Sequence, residues 1–508
     1  MNTKSIFLIL ATLTASFAFG SNAKIVSVDT LGGSTQTLMV KGRWDNSWRL
    51  NNVSTDAVYV FYKYRAAGSQ QWEHGNFNFP ANSNPLLQCN LAASGASGSA
   101  SGNGAYFLNR NVNFTQGATT YASYKGACVR FQPGTYQNGI FDSTIFTLQV
   151  TPMLPNPLAT YEFKFFIQEM VWIPQGNFFV GDGDPMNIAQ ISDNQPYLMG
   201  ATFPVNTLKL RGLPLNSLPA YYPNGYGAFY VMKYALSNEA YADFLNMLTT
   251  SQQMGVLYNN PTSNNSWGSG LPSGVYVMRN SPQPDTLFRS GLRIFLKPGG
   301  GYEFKCDLNG NGIGNEPNDG QTVAITCYSA RQANAYLEWA GLRPLTDLEF
   351  EKVCRGPLGP VPGEYAWGSS AITYRYNGDI VNAGTESEAD AAVVFNPATV
   401  SARRCGSFAR PSGSTRENTG ASYYGVMDLS AAPRTYTLSI QGRLSNPGLA
   451  LSTGNAGDGY LSATGGVSDA TWLNLTYKQK VSTYETTFGG PVEDGSIYFN
   501  SVRGAISK

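Results

Sequence analysis

The chain has 508 residues, with 34 Lys+Arg against 33 Asp+Glu and a net charge of +1. Charged residues make up 13% of it, about half the roughly 25% usual in soluble domains, so general electrostatic attraction to nucleic acid or an anionic membrane is excluded. A single histidine excludes multi-histidine zinc chemistry, and a Ser-His-Asp triad would have to be built on His74 alone.

The length is too great for one ordinary core and predicts more than one domain. Residues 1–23 read as a secretory signal peptide: Lys4, an apolar run from Ile6 to Ala11, then small residues suited to cleavage after Gly20 or Ala23. The run is too short and polar-interrupted for a membrane anchor, no cysteine near it offers a lipid site, and no later stretch is apolar enough to span a bilayer. Residues 24–160 then read as short strands of β-branched and aromatic residues, notably 58–64 (VYVFYKY) and 145–150 (IFTLQV), which predict a β-sandwich. Within it, residues 91–104 (LAASGASGSASGNG) lack anything to build a core and predict a mobile loop.

From residue 161 to 508 the pattern changes to short helices set among loops. Ser237 can cap a helix to about Leu248, with Tyr241, Phe244, Leu245 and Leu248 on one face. A second helix is predicted over 328–340, stopped by Gly341, and a third after Thr346-Asp347. Between them, residues 307–320 (DLNGNGIGNEPNDG) resemble a calcium loop. Asp307, Asn309 and Asn311 hold positions 1, 3 and 5, and Gly312 holds the turn position. Position 12 is Asn318 instead of glutamate, so the candidate Ca2+ ligands are Asp307, Asn309, Asn311, Asn315 and Asp319, with Asp319 compensating. A glycine/asparagine turn network is the competing reading.

Six cysteines in an exported chain favour disulfides. Cys89 and Cys128, alone in the first third, are expected to pair; the pairing of Cys306, Cys327, Cys354 and Cys405 stays open. No CxxC occurs, which disfavours a metal site. His74 reads as a packed or surface residue. The C-terminal aromatics (Tyr221, Tyr222, Tyr226, Tyr423, Tyr424, Tyr460, Trp472) read mostly as core, with some lining a groove.

Five blocks carry a family resemblance. Residues 170–181 (MVWIPQGNFFVG), 229–241 (FYVMKYALSNEAY), 335–351 (AYLEWAGLRPLTDLEFE) with 355–356 (RG) and 365–368 (YAWG), 425–430 (GVMDLS) and 501–504 (SVRG) resemble, in order, the formylglycine-generating-enzyme (sulfatase-modifying-factor) family. The resemblance implies an α+β fold overall, with the β-sandwich followed by a C-type-lectin-like domain rich in loops. Catalytic members bind copper through two nearby cysteines in the C-terminal part, but this chain has no cysteine after Cys405, so no copper is expected. The segment that contributes to a family calcium site reads Ala431, Ala432, Pro433, Arg434, Thr435, Tyr436, without carboxylates.

The resemblance therefore implies an exported, non-catalytic module at the cell surface, extracellular or periplasmic. Its expected partner is a protein or glycan, with self-assembly as a further role. The alternative is a copper-dependent oxidase making formylglycine in sulfatases with a relocated pair, Cys354 and Cys405.

Overall fold

The computed structural model describes residues 23–30, 37–50, 54–80, 89–94, 100–103, 105–116, 119–131, 139–152, 154–156, 159–183, 196–202, 209–210, 213–214, 223–257, 273–278, 282–284, 288–326, 330–371, 380–390, 401–409, 415–430, 434–438, 475–478, 481 and 500–507. The expected signal peptide lies outside the described residues. The chain divides into two compact units, changing over between Met170 and Val171.

The first unit holds β1 (Lys24–Thr30), β2 (Leu38–Leu50), β3 (Ser54–Ala66), β4 (Glu73–His74), β5 (Phe77–Pro80), β6 (Cys89–Ser94), β7 (Ala100–Asn103), β8 (Ala105–Gln116), β9 (Thr119–Val129) and β10 (Gly139–Val150). Most of β11 (Tyr161–Ile173) belongs to it as well. The spatial order is β11-β3-β2-β10-β6-β7, with β1 beside β2, β4 and β9 beside β3, and β5 and β8 beside β9. Alternation drives this arrangement: Leu38, Val40 and Trp44 of β2 turn inward, opposite Val150, Leu148 and Thr144 of β10. Gly42 stands opposite Phe146, whose ring passes so close that a Cβ on Gly42 would lie 2.3 Å from it. Tyr62 of β3 packs on Phe77 at 5.3 Å edge-on and stacks on Phe165 at 5.1 Å.

In the second unit, helix α1 (Asn238–Asn246) starts where Ser237 accepts from Ala240 N at 3.2 Å. It is followed by α2 (Thr250–Leu257), α3 (Ala330–Trp339), α4 (Asp347–Arg355) and α5 (Arg416–Thr419). Helix α4 opens with a capping box, Thr346 Oγ1 accepting from Glu349 N and Glu349 Oε2 from Thr346 N. Gly356 ends it. Short ladders join 343–344 to 504–505 antiparallel, 434–436 to 500–502 parallel, and 435–438 to 475–478 antiparallel.

Three expectations are corrected. The fold is not α+β with a C-type-lectin-like second part: the structure is mostly β, with a large antiparallel sheet. Among the described residues 25 strands stand against five helices, none longer than ten residues. Glycines end α3, α4 and α5 at Gly341, Gly356 and Gly420, while β-branched and aromatic residues favour paired extended chain. The expected β-sandwich is instead one connected set of strands, because β3 hydrogen-bonds to β2, β4, β9 and β11 together. The tract expected as a mobile loop contributes most of β6 and all of β7, paired from Asn90↔Asn103 to Ala93↔Ala100. Small residues satisfy a ladder through backbone alone, and Cys89, Leu91 and Ala93 give β6 a buried face.

Among the described residues no helix is long and apolar enough to cross a membrane, which says nothing of a β-barrel.

Candidate functional site

The residues that carry the family resemblance converge on a scaffold of buried charge. Arg343 binds Glu349 through two N–H groups at 2.8 and 2.7 Å, with both side chains almost fully buried. At the end of the same helix, Arg355 holds Glu364 at 2.5 Å and Glu351 at 3.1 Å, and donates to Phe179 O. Glu351 in turn accepts from Gly181 N at 3.0 Å. Lys352 Nζ donates to the carbonyls of Gly225, Tyr226 and Gly227 at 2.6, 3.1 and 3.3 Å, and burial lowers its pKa to about 8. Gly225 has φ +84°, and a Cβ there would meet the Phe178 ring at 2.8 Å, so the loop under Lys352 requires glycine. Arg503 spans to Met232 O at 3.1 Å and Met427 O at 2.5 Å. These groups point at backbone and at each other, and the arrangement fixes chain segments.

The described cysteines are likewise inward. Cys89, Cys128, Cys306, Cys354 and Cys405 are all buried thiols. The expected Cys89–Cys128 disulfide is therefore corrected: the two sit on β6 and β9, strands that do not pair with each other. Sharing the first third of the chain was not enough to bring them together. Cys306, Cys354 and Cys405 form no disulfide either, and Cys327 lies outside the described residues. Burial pushes the Cys128, Cys306 and Cys405 thiols well up, and Asp428 adds to this at Cys405. Cys405 Sγ donates to Ala235 O at 3.3 Å, while Cys354 lies within α4. Protonated, enclosed thiols are poor nucleophiles and poor metal ligands.

The 307–320 loop has a buried base and an exposed rim. Asp307 and Asp319 are fully buried, while Asn309, Asn311, Asn315 and Asn318 are exposed. Leu308 N donates to Asp319 O at 3.2 Å and closes the base. Asp307 accepts from Gly312 N at 3.2 Å and carries the Arg293 guanidinium. Asn309 Oδ1 accepts from Asn311 N at 2.9 Å and Asn311 Oδ1 from Ile313 N at 2.8 Å, two successive Asx turns. Glu316 Oε2 takes the amide N–H groups of both Asn309 and Asn311. Asn315 departs from the expected ligand set: its Oδ1 accepts from Cys306 N at 3.0 Å, which staples the loop to the preceding strand. Asp319 Oδ2 accepts from Glu316 N at 2.7 Å, but its Oδ1 is buried without a hydrogen-bond partner. Burial and the nearby Asp307 and Glu316 carboxylates raise its pKa to about 6, against the backbone N–H groups of Glu316 and Asn309. Among the described residues no group of three or more His, Cys, Asp or Glu stands placed to hold a metal.

Two features escaped the sequence reading. Glu388 is a fully buried clamp that accepts from Arg289, from Gly384 N at 2.7 Å and from Arg404 N at 2.8 Å. Burial opposes its charge, yet Arg289 and those N–H groups hold its carboxyl below the ordinary range. Glu239, in the first turn of α1, has a buried Oε2 without a partner. Burial, with Asp243 and Glu386 close by, raises its pKa to about 8. Each depends in part on a neighbour far along the chain, Arg289 for Glu388 and Glu386 for Glu239.

His74 is structural. Its Nε2 donates to Lys125 O at 2.6 Å, its Nδ1 lies 3.1 Å from Lys63 Nζ, and its ring stacks on Phe61. Of the singled-out aromatics, Tyr424 is buried and Tyr226 and Tyr423 are half-buried. Tyr221, Tyr222, Tyr460 and Trp472 lie outside the described residues, as do Ala431, Ala432 and Pro433. Thr435 Oγ1 is spent on Leu429 O at 3.2 Å. No family model matches the chain, and no curated protein matches it either.

Proposed function

We propose that this chain is an exported, non-catalytic relative of the formylglycine-generating enzymes that works as a binding or structural module at the cell surface or outside the cell. One observation carries the reading: the five described cysteines are buried, and the three whose shifts are resolved are pushed toward the neutral thiol. Oxygen activation at copper in this family needs thiolates that reach metal and substrate. Within the resemblance blocks, Arg343, Glu349, Glu351, Arg355 and Arg503 support the same reading, since their charged side chains are consumed by ion pairs and backbone groups. A near-neutral, aromatic-rich chain suits a protein or glycan partner, or a second copy of itself, better than a polyanion.

The test is thiol accessibility in a Cys327→Ser background, which isolates the five cysteines described. Without reductant, the native protein is expected to leave all five unmodified by a thiol-specific reagent at pH 7, and the unfolded protein to react at all five. Rapid native-state modification of Cys354 or Cys405 would instead favour the oxidase reading.

A further inference from the structure

We infer that the 307–319 loop is a site for a hard divalent cation of the calcium type, with Asp307 and Asp319 as carboxylate ligands and the side-chain oxygens of Asn309 and Asn311 at its rim. Spacing alone does not carry this, because Asx turns can close such a loop by themselves. The second observation is Asp319: it is 0% exposed, and its Oδ1 makes no hydrogen bond of normal geometry, with only the Glu316 and Asn309 N–H groups acting on the carboxylate. An unpaired carboxylate oxygen buried beside a second carboxylate is costly, and a cation seated at the base removes that cost.

The donor set decides the chemistry. All its donors are oxygen and none is sulfur or imidazole, which selects a hard ion over copper or zinc. Each amide oxygen of Asn309 and Asn311 accepts one N–H and keeps a second lone pair. Glu316 takes their amide N–H groups and so fixes both amides with their oxygens turned away from it. A flexible loop of carboxylate, amide and carbonyl oxygens suits calcium better than magnesium, which demands near-ideal octahedral geometry and sheds water reluctantly. Affinity follows from charge. Two carboxylates are few, and Arg293 already neutralises part of Asp307, so the site belongs with weak extracellular modules, at a Kd of ~10⁻⁴–10⁻³ M.

Tyr276 supplies a built-in reporter, because its hydroxyl donates to Asp307 O at 2.6 Å. Terbium(III), a calcium surrogate, is added to the full chain and its luminescence read on tyrosine excitation. The expected result is saturable emission displaced by millimolar calcium but not by equal magnesium. Asp319→Asn should weaken calcium binding by ~10-fold or more, and Tyr276→Phe should dim the emission while calcium affinity, measured by equilibrium dialysis, stays unchanged. Asn309→Ala, at an exposed position that does not endanger folding, should also weaken binding. Absent emission, or emission that neither Asp319→Asn nor Asn309→Ala changes, overturns the proposal and leaves the loop a closed turn network. Should Asp319→Asn fail to fold, Asn309→Ala and dialysis of the unaltered protein decide: about one bound calcium at 5 mM sustains the site, and none refutes it.

Discussion

Replacing Arg355 by alanine is expected to destabilise the second unit by about 3–5 kcal/mol, as for a buried ion pair that loses one partner. Arg355 is 1% exposed at the side chain, and its partners Glu351 and Glu364 are 0% and 2% exposed. The substitution strands two buried carboxylates and frees the Phe179 carbonyl it now satisfies. Burial already pushes the Glu364 carboxyl up even with Arg355 beside it; without the guanidinium it rises further. A folded-state carboxyl raised above its unfolded value binds more protons than the unfolded chain, so stability falls as pH rises through that window. The deficit of Arg355→Ala should therefore shrink as pH is lowered from 7 toward 5. Denaturant unfolding at both pH values checks this. Combined apolar replacement of Arg355, Glu351 and Glu364 should recover most of the loss, because the neutral set pays no ionic desolvation.

The second large effect is in the first unit. Trp44 is fully buried and packs on Phe146 at 6.1 Å between ring centroids. Trp44→Ala should cost about 3–5 kcal/mol, the lost transfer energy plus a cavity the strands cannot close. Its indole Nε1 is buried without an acceptor, so Trp44→Phe removes an unsatisfied donor along with part of the ring. That variant should cost less than half as much. Equal losses for the two variants, measured as a shift in denaturation midpoint at constant slope, would show that ring volume is not what matters there.

What the sequence made legible was local. Ser237 and the Thr346-Asp347 step marked two helix starts because a cap is a contact between residues three apart, and both caps are present. The β3 run 58–64 was readable as a strand from β-branched and aromatic content. The 91–104 tract was not, because its strands pair through backbone atoms that composition does not distinguish. The α+β expectation failed for a related reason: the helices read correctly were short, and strands of two to five residues between them leave little periodicity to find. The Arg289–Glu388 pair, the approach of Glu386 to Glu239 and the Arg355 bond to Phe179 O each span about a hundred positions or more, which no local pattern encodes. Within the candidate loop, spacing located the two buried carboxylates but also nominated Asn315, whose oxygen the structure gives to Cys306 N.

The proposed role rests on the absence of usable thiolate chemistry, since the five described cysteines are buried. Its most direct test is incubation of the purified, copper(I)-loaded protein with a cysteine-containing sulfatase peptide under oxygen, reading the peptide by mass spectrometry. The account predicts a peptide with its cysteine intact and no oxygen uptake above the protein-free control. Conversion of that cysteine to formylglycine, abolished by Cys354→Ser or Cys405→Ser, would contradict it.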